Sequence, residues 1–335
     1  LFSVFALLSL ISVQSQAQSP DEFLGYELGS YFTRHHQVVD YFQMLEESSP
    51  QLKLQAYGKT NEGRLLQLAF ISTEENLKNL ESIRTAHLQN SGVIPGPKNN
   101  DKAVVWLSYN VHGNESSSTE AAMKTSYALI TKYSDWLKDT VVIIDPCINP
   151  DGRDRYVNLY NQIKSTPNDT QPFTREHREG WHNGRTNHYS FDLNRDWAWL
   201  TQVESQQRIK KYNQWLPHIH VDFHEQGINS PYYFAPAAEP LHEIITPFQK
   251  NFQDIIGKNH AKYFDKQGWF YFTKQRFDLL YPSYGDTYPT FLGAIGMTYE
   301  QAGGGRAGLR IENDENITLT LKDRIEHNYT TGIST

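Results

Sequence analysis

The chain has 335 residues, of which 38% are hydrophobic and 21% are charged, and its formal net charge at pH 7 is -7. This composition is ordinary for a globular protein with a large core, and its acidity gives no reason to expect a nucleic-acid partner. The single cysteine, Cys147, excludes a disulfide framework within the chain and a cysteine-based zinc site.

The N-terminal segment has the pattern of an export signal. Residues 1–13 form an apolar run that is short for a membrane span, and Ser15-Gln16-Ala17 resembles a cleavage site. We therefore expect a partial signal peptide over residues 1–17 and no membrane span in the mature chain. Export with one cysteine suits a bacterial protein that is periplasmic or secreted. Residues 20–335 are predicted to form one domain, and its polar end leaves open that it is cut from a longer chain.

Hydrophobic periodicity predicts helices that alternate with strands. Helices are predicted over residues 30–47, 116–137, 202–216 and 319–335. A β-hairpin is predicted over residues 52–73, and single strands over 103–111, 140–148, 218–225 and 294–301. Residues 151–194 are polar and glycine-rich, and we expect them to form an irregular functional loop. The alternation predicts an α/β fold, a single-domain α/β/α sandwich around a mixed, mainly parallel twisted sheet.

Chemically active side chains follow several of the predicted strands. His112 and Glu115 come after the first buried strand, and His224 and Glu300 stand near the ends of two later ones. Because ligands bind at the carboxyl ends of strands in such sheets, we expect these side chains to lie close together.

Two histidines and one glutamate form a known ligand set for catalytic zinc, with water in the fourth position. His112 and Glu115 have the spacing His-x-x-Glu, and Gly113 is expected to permit the tight turn that brings them to one point. Each residue alone also fits a structural role, since a histidine at a strand end is commonly a hydrogen-bonded core residue.

Six motifs in the same order resemble the zinc metallocarboxypeptidases of the carboxypeptidase A type. They are YGKTNEGRLLQLAFIS, HGNE, INPDGRDRY, DLNRDW, DFHEQG and MTYEQAGG. The resemblance covers most of the chain and implies that residues 20–335 form a zinc carboxypeptidase catalytic domain.

The resemblance also implies residue roles. His112, Glu115 and His224 would bind one zinc ion per chain, and Glu300 would act as general base and acid. Asp192 would orient His112 by accepting a hydrogen bond.

The resemblance also implies that Asn194 and Arg195 bind the terminal carboxylate of the substrate. Arginine suits this role because its planar fork pairs with a carboxylate. Two further family roles match this sequence less directly. Arg185 is the preferred candidate for polarising the scissile carbonyl, and Arg178 is the alternative. A tyrosine that closes on the substrate corresponds best to Tyr281, with Tyr284 as second choice.

The resemblance predicts peptide or protein C-termini as substrates. Two alternatives remain at this stage: an exported amidase of the same fold that cuts γ-glutamyl or diaminopimelate bonds in cell-wall peptides, and a catalytically inactive zinc-binding module. Glu225 is expected to add negative charge near the metal. Asp286, if it lies in the pocket for the last side chain, would favour lysine or arginine there.

Overall fold

A computed structural model describes residues 16–99 and 101–335 of the chain. Its α-helices are α1 Pro20–Leu24, α2 His35–Ser48, α3 Glu74–Lys78, α4 Leu80–Asn90, α5 Ser117–Thr131, α6 Pro150–Ile163, α7 Val203–Trp215, α8 Pro247–Gln267, α9 Thr287–Phe291 and α10 Leu321–Ser334. Its strands are β1 Leu52–Lys59, β2 Leu65–Ile71, β3 Ala103–Tyr109, β4 Thr140–Asp145, β5 Ile219–Gln226, β6 Tyr232–Tyr233, β7 Ala238–Leu241, β8 Tyr271–Phe272, β9 Asp278–Leu279, β10 Ile295–Ala302, β11 Arg310–Glu312 and β12 Thr318–Thr320.

One sheet of eight strands organises the molecule, in the order β1-β2-β4-β3-β5-β10-β6-β8. Its centre is parallel, because β3 pairs in parallel with β4 and β5, and β5 with β10. The hairpin of β1 and β2 joins one side of this centre in antiparallel fashion, and β6 joins the other. The expected α/β fold with a mixed, mainly parallel sheet is therefore confirmed.

Helices cover both faces of the sheet, because successive residues of the central strands point to opposite sides. On one face, Val142 and Phe223 pack in a large hydrophobic cluster with residues of α2, α5, α8 and α10. On the other face, Val141 and Trp106 pack in a second cluster with residues of α3, α4 and α7. Strands buried on both faces explain the near-continuous apolar runs in the sequence.

The expectation that residues 151–194 are irregular throughout is wrong, because their first part forms α6. Asn149 caps this helix by accepting a hydrogen bond from the backbone of Gly152 at 3.0 Å, and Pro150 occupies the first turn. Tyr156 and Tyr160 then bury their rings at helical spacing. The polar and glycine-rich composition concealed this short apolar stripe.

Several other elements differ from expectation. The first long helix begins at His35 and not near residue 30, because Thr33 donates through its backbone and hydroxyl to Glu120 at 2.8 and 2.6 Å. No predicted element covers α1, α3, α4, α8 or α9. Most of the expected signal segment, residues 1–17, lies outside the described residues and stays a prediction. Within residues 16–99 and 101–335, no helix combines the length and hydrophobicity needed to cross a membrane.

Candidate active site

The loop after β3 holds His112 and Glu115 in a fixed conformation. Asn110 has a φ of 61°, in the left-handed region that asparagine tolerates better than most residues. Its side-chain amide donates to the carbonyls of His112, Gly113 and Glu115 at 2.7, 3.2 and 3.0 Å. Asn110 therefore organises the loop from inside. The sequence signal for this role is an asparagine directly after a buried strand.

Gly113 is required for a reason other than the one expected from the sequence. Its φ is not in the left-handed region. A Cβ atom at this position would instead lie 2.2 Å from the backbone nitrogen of Arg153 and 2.6 Å from the carbonyl oxygen of Gly184. Gly113 thus allows the start of α6 and the following loop to approach the metal-binding loop closely.

The three predicted ligands converge on one point. Nδ1 of His112 lies 2.9 Å from one oxygen of Glu115, and Nδ1 of His224 lies 3.1 Å from the other. The two Nδ1 atoms are 3.2 Å apart. Ligand atoms at tetrahedral corners about 2.0–2.1 Å from a zinc ion would be roughly 3.3 Å apart, so these donors fit zinc in type, number and spacing.

Each histidine is oriented by a carboxylate on its other nitrogen. Nε2 of His112 lies 2.9 Å from Asp192, as expected from the sequence, and Nε2 of His224 lies 2.9 Å from Asp222. Sequence reasoning missed Asp222, although the signal was present: Asp222 and His224 are two residues apart on one strand and share a face. Burial acts to raise the pKa of Asp192, but its hydrogen bond with His112 and the charge of Arg185 lower it well below the usual range. Both histidines thus have the carboxylate partner that is typical of zinc ligands.

Glu300 lies beside the three donors because β10 and β5 are in register, with Glu300 opposite His224. Its carboxylate has no hydrogen-bond partner among the described residues. Burial raises the pKa of Glu300 to about 8, with a further increase from Glu115, while His224 and Arg185 act in the opposite direction. A buried carboxylate with a raised pKa beside a metal site is suited to accept and return a proton.

Three of the residues predicted to contact the substrate line the same cavity. It has a volume of about 480 Å³, within the usual range for ligand sites, and Arg185, Asn194 and Arg195 lie on its wall together with the three donors and Glu300. Arg185 donates to Glu115 at 3.1 Å and lies 3.0 Å from Asp192. Arg178, the alternative, is exposed and does not line this cavity.

The two candidate tyrosines occupy different places. Tyr284 lines the cavity, and its ring centroid lies 4.5 Å from the guanidinium carbon of Arg195. Tyr281 is not part of the cavity wall, and its hydroxyl accepts a hydrogen bond from the Trp199 indole at 2.9 Å. The two rings are nevertheless neighbours, with centroids 4.8 Å apart.

Two acidic residues near the site already have partners. Glu225 accepts a hydrogen bond from the backbone of Ser117 at 2.9 Å and lies 3.2 Å from the buried Arg324, which offsets its charge. Asp286 does line the cavity, but it accepts hydrogen bonds from Thr298 and Thr287 at 2.8 and 2.9 Å. Burial raises the pKa of Asp286, which weakens it as a negatively charged contact for a basic side chain.

The fold and this site together define a class of protein: an α/β sheet whose strand ends carry a donor set that fits a catalytic zinc ion. Comparison with known proteins agrees. A family model described as zinc carboxypeptidase matches residues 38–263. The chain belongs to this zinc carboxypeptidase family, as the resemblance of its six motifs predicted.

Several solved structures share the fold. A metallo-carboxypeptidase from Burkholderia cenocepacia is 17% identical, with a TM-score of 0.60 over 90% of this chain and 67% of that chain. Carboxypeptidase A from Helicoverpa armigera is 15% identical, with a TM-score of 0.57 over 94% of this chain and 76% of that chain. Thrombin-activatable fibrinolysis inhibitor is 12% identical, with a TM-score of 0.60 over 93% of this chain and 76% of that chain. No curated protein matches the chain. At these identities the structural similarity concerns the fold alone, and the chain spans about two thirds of the Burkholderia cenocepacia protein.

Proposed function

We propose that the protein is a zinc-dependent metallocarboxypeptidase that hydrolyses the C-terminal peptide bond of peptides or proteins. One observation carries this proposal: Glu300 faces the three metal donors from the neighbouring strand, and Arg195 lines the same cavity. The site therefore combines a proton-transfer group with a group that can bind a terminal carboxylate.

A zinc ion held by His112, Glu115 and His224 would polarise the scissile carbonyl and lower the pKa of the attacking water to about 7. Glu300 would accept a proton from that water on its carboxylate and deliver it to the nitrogen of the leaving amine. Its position beside His224, without a competing hydrogen bond among the described residues, leaves the carboxylate available for both transfers.

The substrate would be oriented by its free C-terminus. Arg195 and Asn194 would bind the terminal carboxylate, and Arg185 would donate to the scissile carbonyl oxygen as negative charge develops there. Such charge-assisted hydrogen bonds favour chains with an unblocked carboxylate. Tyr281 is a further predicted contact, and Tyr284, already on the cavity wall, is its alternative.

Export belongs to the same proposal. The apolar run in residues 1–13, followed by small residues, supports a bacterial protein that is secreted or periplasmic. Its substrates would then be peptides outside the cytoplasm, with cell-wall peptides as the alternative class.

The decisive experiment compares the wild-type protein with Glu300→Gln and a matched control, Glu243→Gln, at an exposed position. Libraries of peptides and of cell-wall peptides are analysed by mass spectrometry, with and without a chelator. We expect Glu300→Gln to bind zinc normally and to lose about 10²- to 10⁴-fold in hydrolysis, because proton transfer is removed. The control should match the wild type.

Four outcomes would contradict the proposal. Hydrolysis by the metal-free protein would exclude a zinc mechanism, and full activity of Glu300→Gln would exclude Glu300 as the proton-transfer group. Cleavage confined to internal amide bonds of cell-wall peptides would identify an amidase, and a zinc-loaded wild type that cleaves nothing would identify an inactive binding module.

A further inference from the structure

A short segment between β9 and α9, Ser283–Gly285, contacts both residues proposed to bind the terminal carboxylate. The backbone N–H of Gly285 donates to the side-chain oxygen of Asn194 at 2.8 Å. The hydroxyl of Ser283 donates to the carbonyl oxygen of Arg195 at 2.8 Å. The same hydroxyl accepts a hydrogen bond from the backbone of Ala198 at 2.9 Å, which ties the segment to the chain on the far side of Arg195.

Hydrogen bonding to Gly285 orients the Asn194 amide. Because the oxygen accepts from the backbone N–H, the NH2 group is directed the other way, and it lies 3.2 Å from Nε2 of His224. Asn194 thus presents donors at the junction of the metal centre and the cavity, which is where a substrate carboxylate needs them.

Tyr284 restrains Arg195, the second residue proposed to bind the terminal carboxylate. Its ring lies beneath the Arg195 guanidinium, with 4.5 Å between the guanidinium carbon and the ring centroid. The other contacts of Arg195 are few: its guanidinium donates to the carbonyl oxygen of Asn194 at 3.1 Å, and the nearest acidic oxygen, on Asp192, is 3.9 Å away. The side chain is 46% exposed. A long, exposed arginine loses considerable side-chain entropy when it binds a ligand, and an aromatic surface reduces that loss by limiting its conformations.

Gly285 connects this segment to the metal centre. A Cβ atom on Gly285 would lie 1.9 Å from Oδ2 of Asp222 and 3.0 Å from the indole nitrogen of Trp197. The same Oδ2 atom lies 2.9 Å from Nε2 of His224. Glycine is therefore the residue that lets the segment approach Asn194 while Asp222 keeps its position against the zinc ligand.

We propose that Ser283–Gly285 is the positioning segment of the carboxylate-binding pair, with Tyr284 setting the position of Arg195 and Gly285 coupling Asn194 to the Asp222–His224 contact. This inference rests on the proposed carboxypeptidase function. Tyr284 acts here through Arg195 and is a positioning residue, not a catalytic one.

The first test substitutes Tyr284 and separates KM from kcat. In Tyr284→Phe the ring remains, and we expect a KM within about twofold of the wild type, because the cation–π contact survives. In Tyr284→Leu the ring is lost, and we expect KM for peptides with a free C-terminus to rise about three- to tenfold. The kcat value and the zinc content should stay unchanged. Tyr263→Leu, at an exposed position on α8 away from the cavity, is the matched control.

A binding measurement makes the test independent of turnover. Zinc-loaded Glu300→Gln is titrated with a free amino acid and with its amide, and the ratio of the two affinities reports carboxylate recognition. Tyr284→Leu in that background should reduce the ratio by the factor found for KM. Tyr284→Gln, with a polar side chain suited to a half-exposed position, replaces Tyr284→Leu if the latter does not fold by circular dichroism.

The second test is Gly285→Ala, with Gly180→Ala as control, because a Cβ on Gly180 would meet nothing within 4 Å. We expect Gly285→Ala to raise KM and to weaken zinc binding about tenfold in competition with a chelator, as loss of a ligand's carboxylate partner does.

The outcomes distinguish this inference from the proposed function. If the wild type hydrolyses no peptide, the proposed function fails, while the affinity ratio still tests the positioning role. If the wild type is active and Tyr284→Leu changes neither KM nor the ratio, the role of Tyr284 is wrong. Unchanged zinc affinity in Gly285→Ala would overturn the coupling to Asp222.

Discussion

The two halves of the candidate active site are built in different ways. On the metal side, the side chains of His112, Glu115 and His224 are only 3–4% exposed and lie at or just beyond the ends of paired strands. On the substrate side, the side chains of Arg185 and Arg195 are 37% and 46% exposed and lie outside the strands, between α6 and α7. The metal side is therefore buried and defined by strand register, while the substrate side depends on contacts between loops and meets the metal donors where Arg185 donates to Glu115.

Among substitutions that should affect one side of the site and not the other, Asp222→Asn is expected to have the largest effect, on zinc affinity. Asp222 belongs to the sheet, and its Oδ2 lies 2.9 Å from Nε2 of His224, a predicted zinc ligand, so its loss should weaken zinc binding about 10- to 100-fold. Chelator competition measures the zinc affinity, and KM at saturating zinc should be close to that of the wild type. A variant that binds zinc normally but has a raised KM would show that the two sides are not separable in this way.

An intermediate effect is expected for Arg195→Lys. Lysine keeps the charge but loses the planar fork, so about 1.5 kcal/mol of charge-assisted hydrogen bonding is removed and KM should rise roughly tenfold. Steady-state kinetics on peptides with a free C-terminus would measure this change, together with zinc content as a control. If the zinc content falls as KM rises, the substrate side stabilises zinc binding more than its exposed position indicates.

The smallest effect is expected for Arg276→Ala. Arg276 lines the cavity but is exposed, and it forms no ion pair with the described residues. Exposed charges of this kind contribute about 0–1 kcal/mol, so KM should change less than about fivefold. Comparing substrates with acidic, neutral and basic C-terminal residues provides the measurement. A large rise in KM that is confined to substrates with acidic C-terminal residues would show that Arg276 also binds the substrate.

Much of the fold could be predicted from the sequence because the central strands are buried on both faces. Such strands appear as apolar runs, as in β3 and β4, and the alternation with helices then indicates a mainly parallel sheet. The helix α6 could not be predicted in the same way, since its polar composition hides a buried stripe that contains Tyr156 and Tyr160. Local composition is a weak guide wherever burial depends on distant parts of the chain.

The candidate site shows the same division at the level of single residues. The sequence by itself determined that two histidines and two glutamates follow buried strands, because parallel strands end at one edge of a sheet and the side-chain period of two selects the face. Only the tertiary structure decided that Tyr284 and not Tyr281 lines the cavity, and that Gly113 and Gly285 are needed for close approach. These features depend on contacts between segments far apart in the chain, which no local pattern encodes.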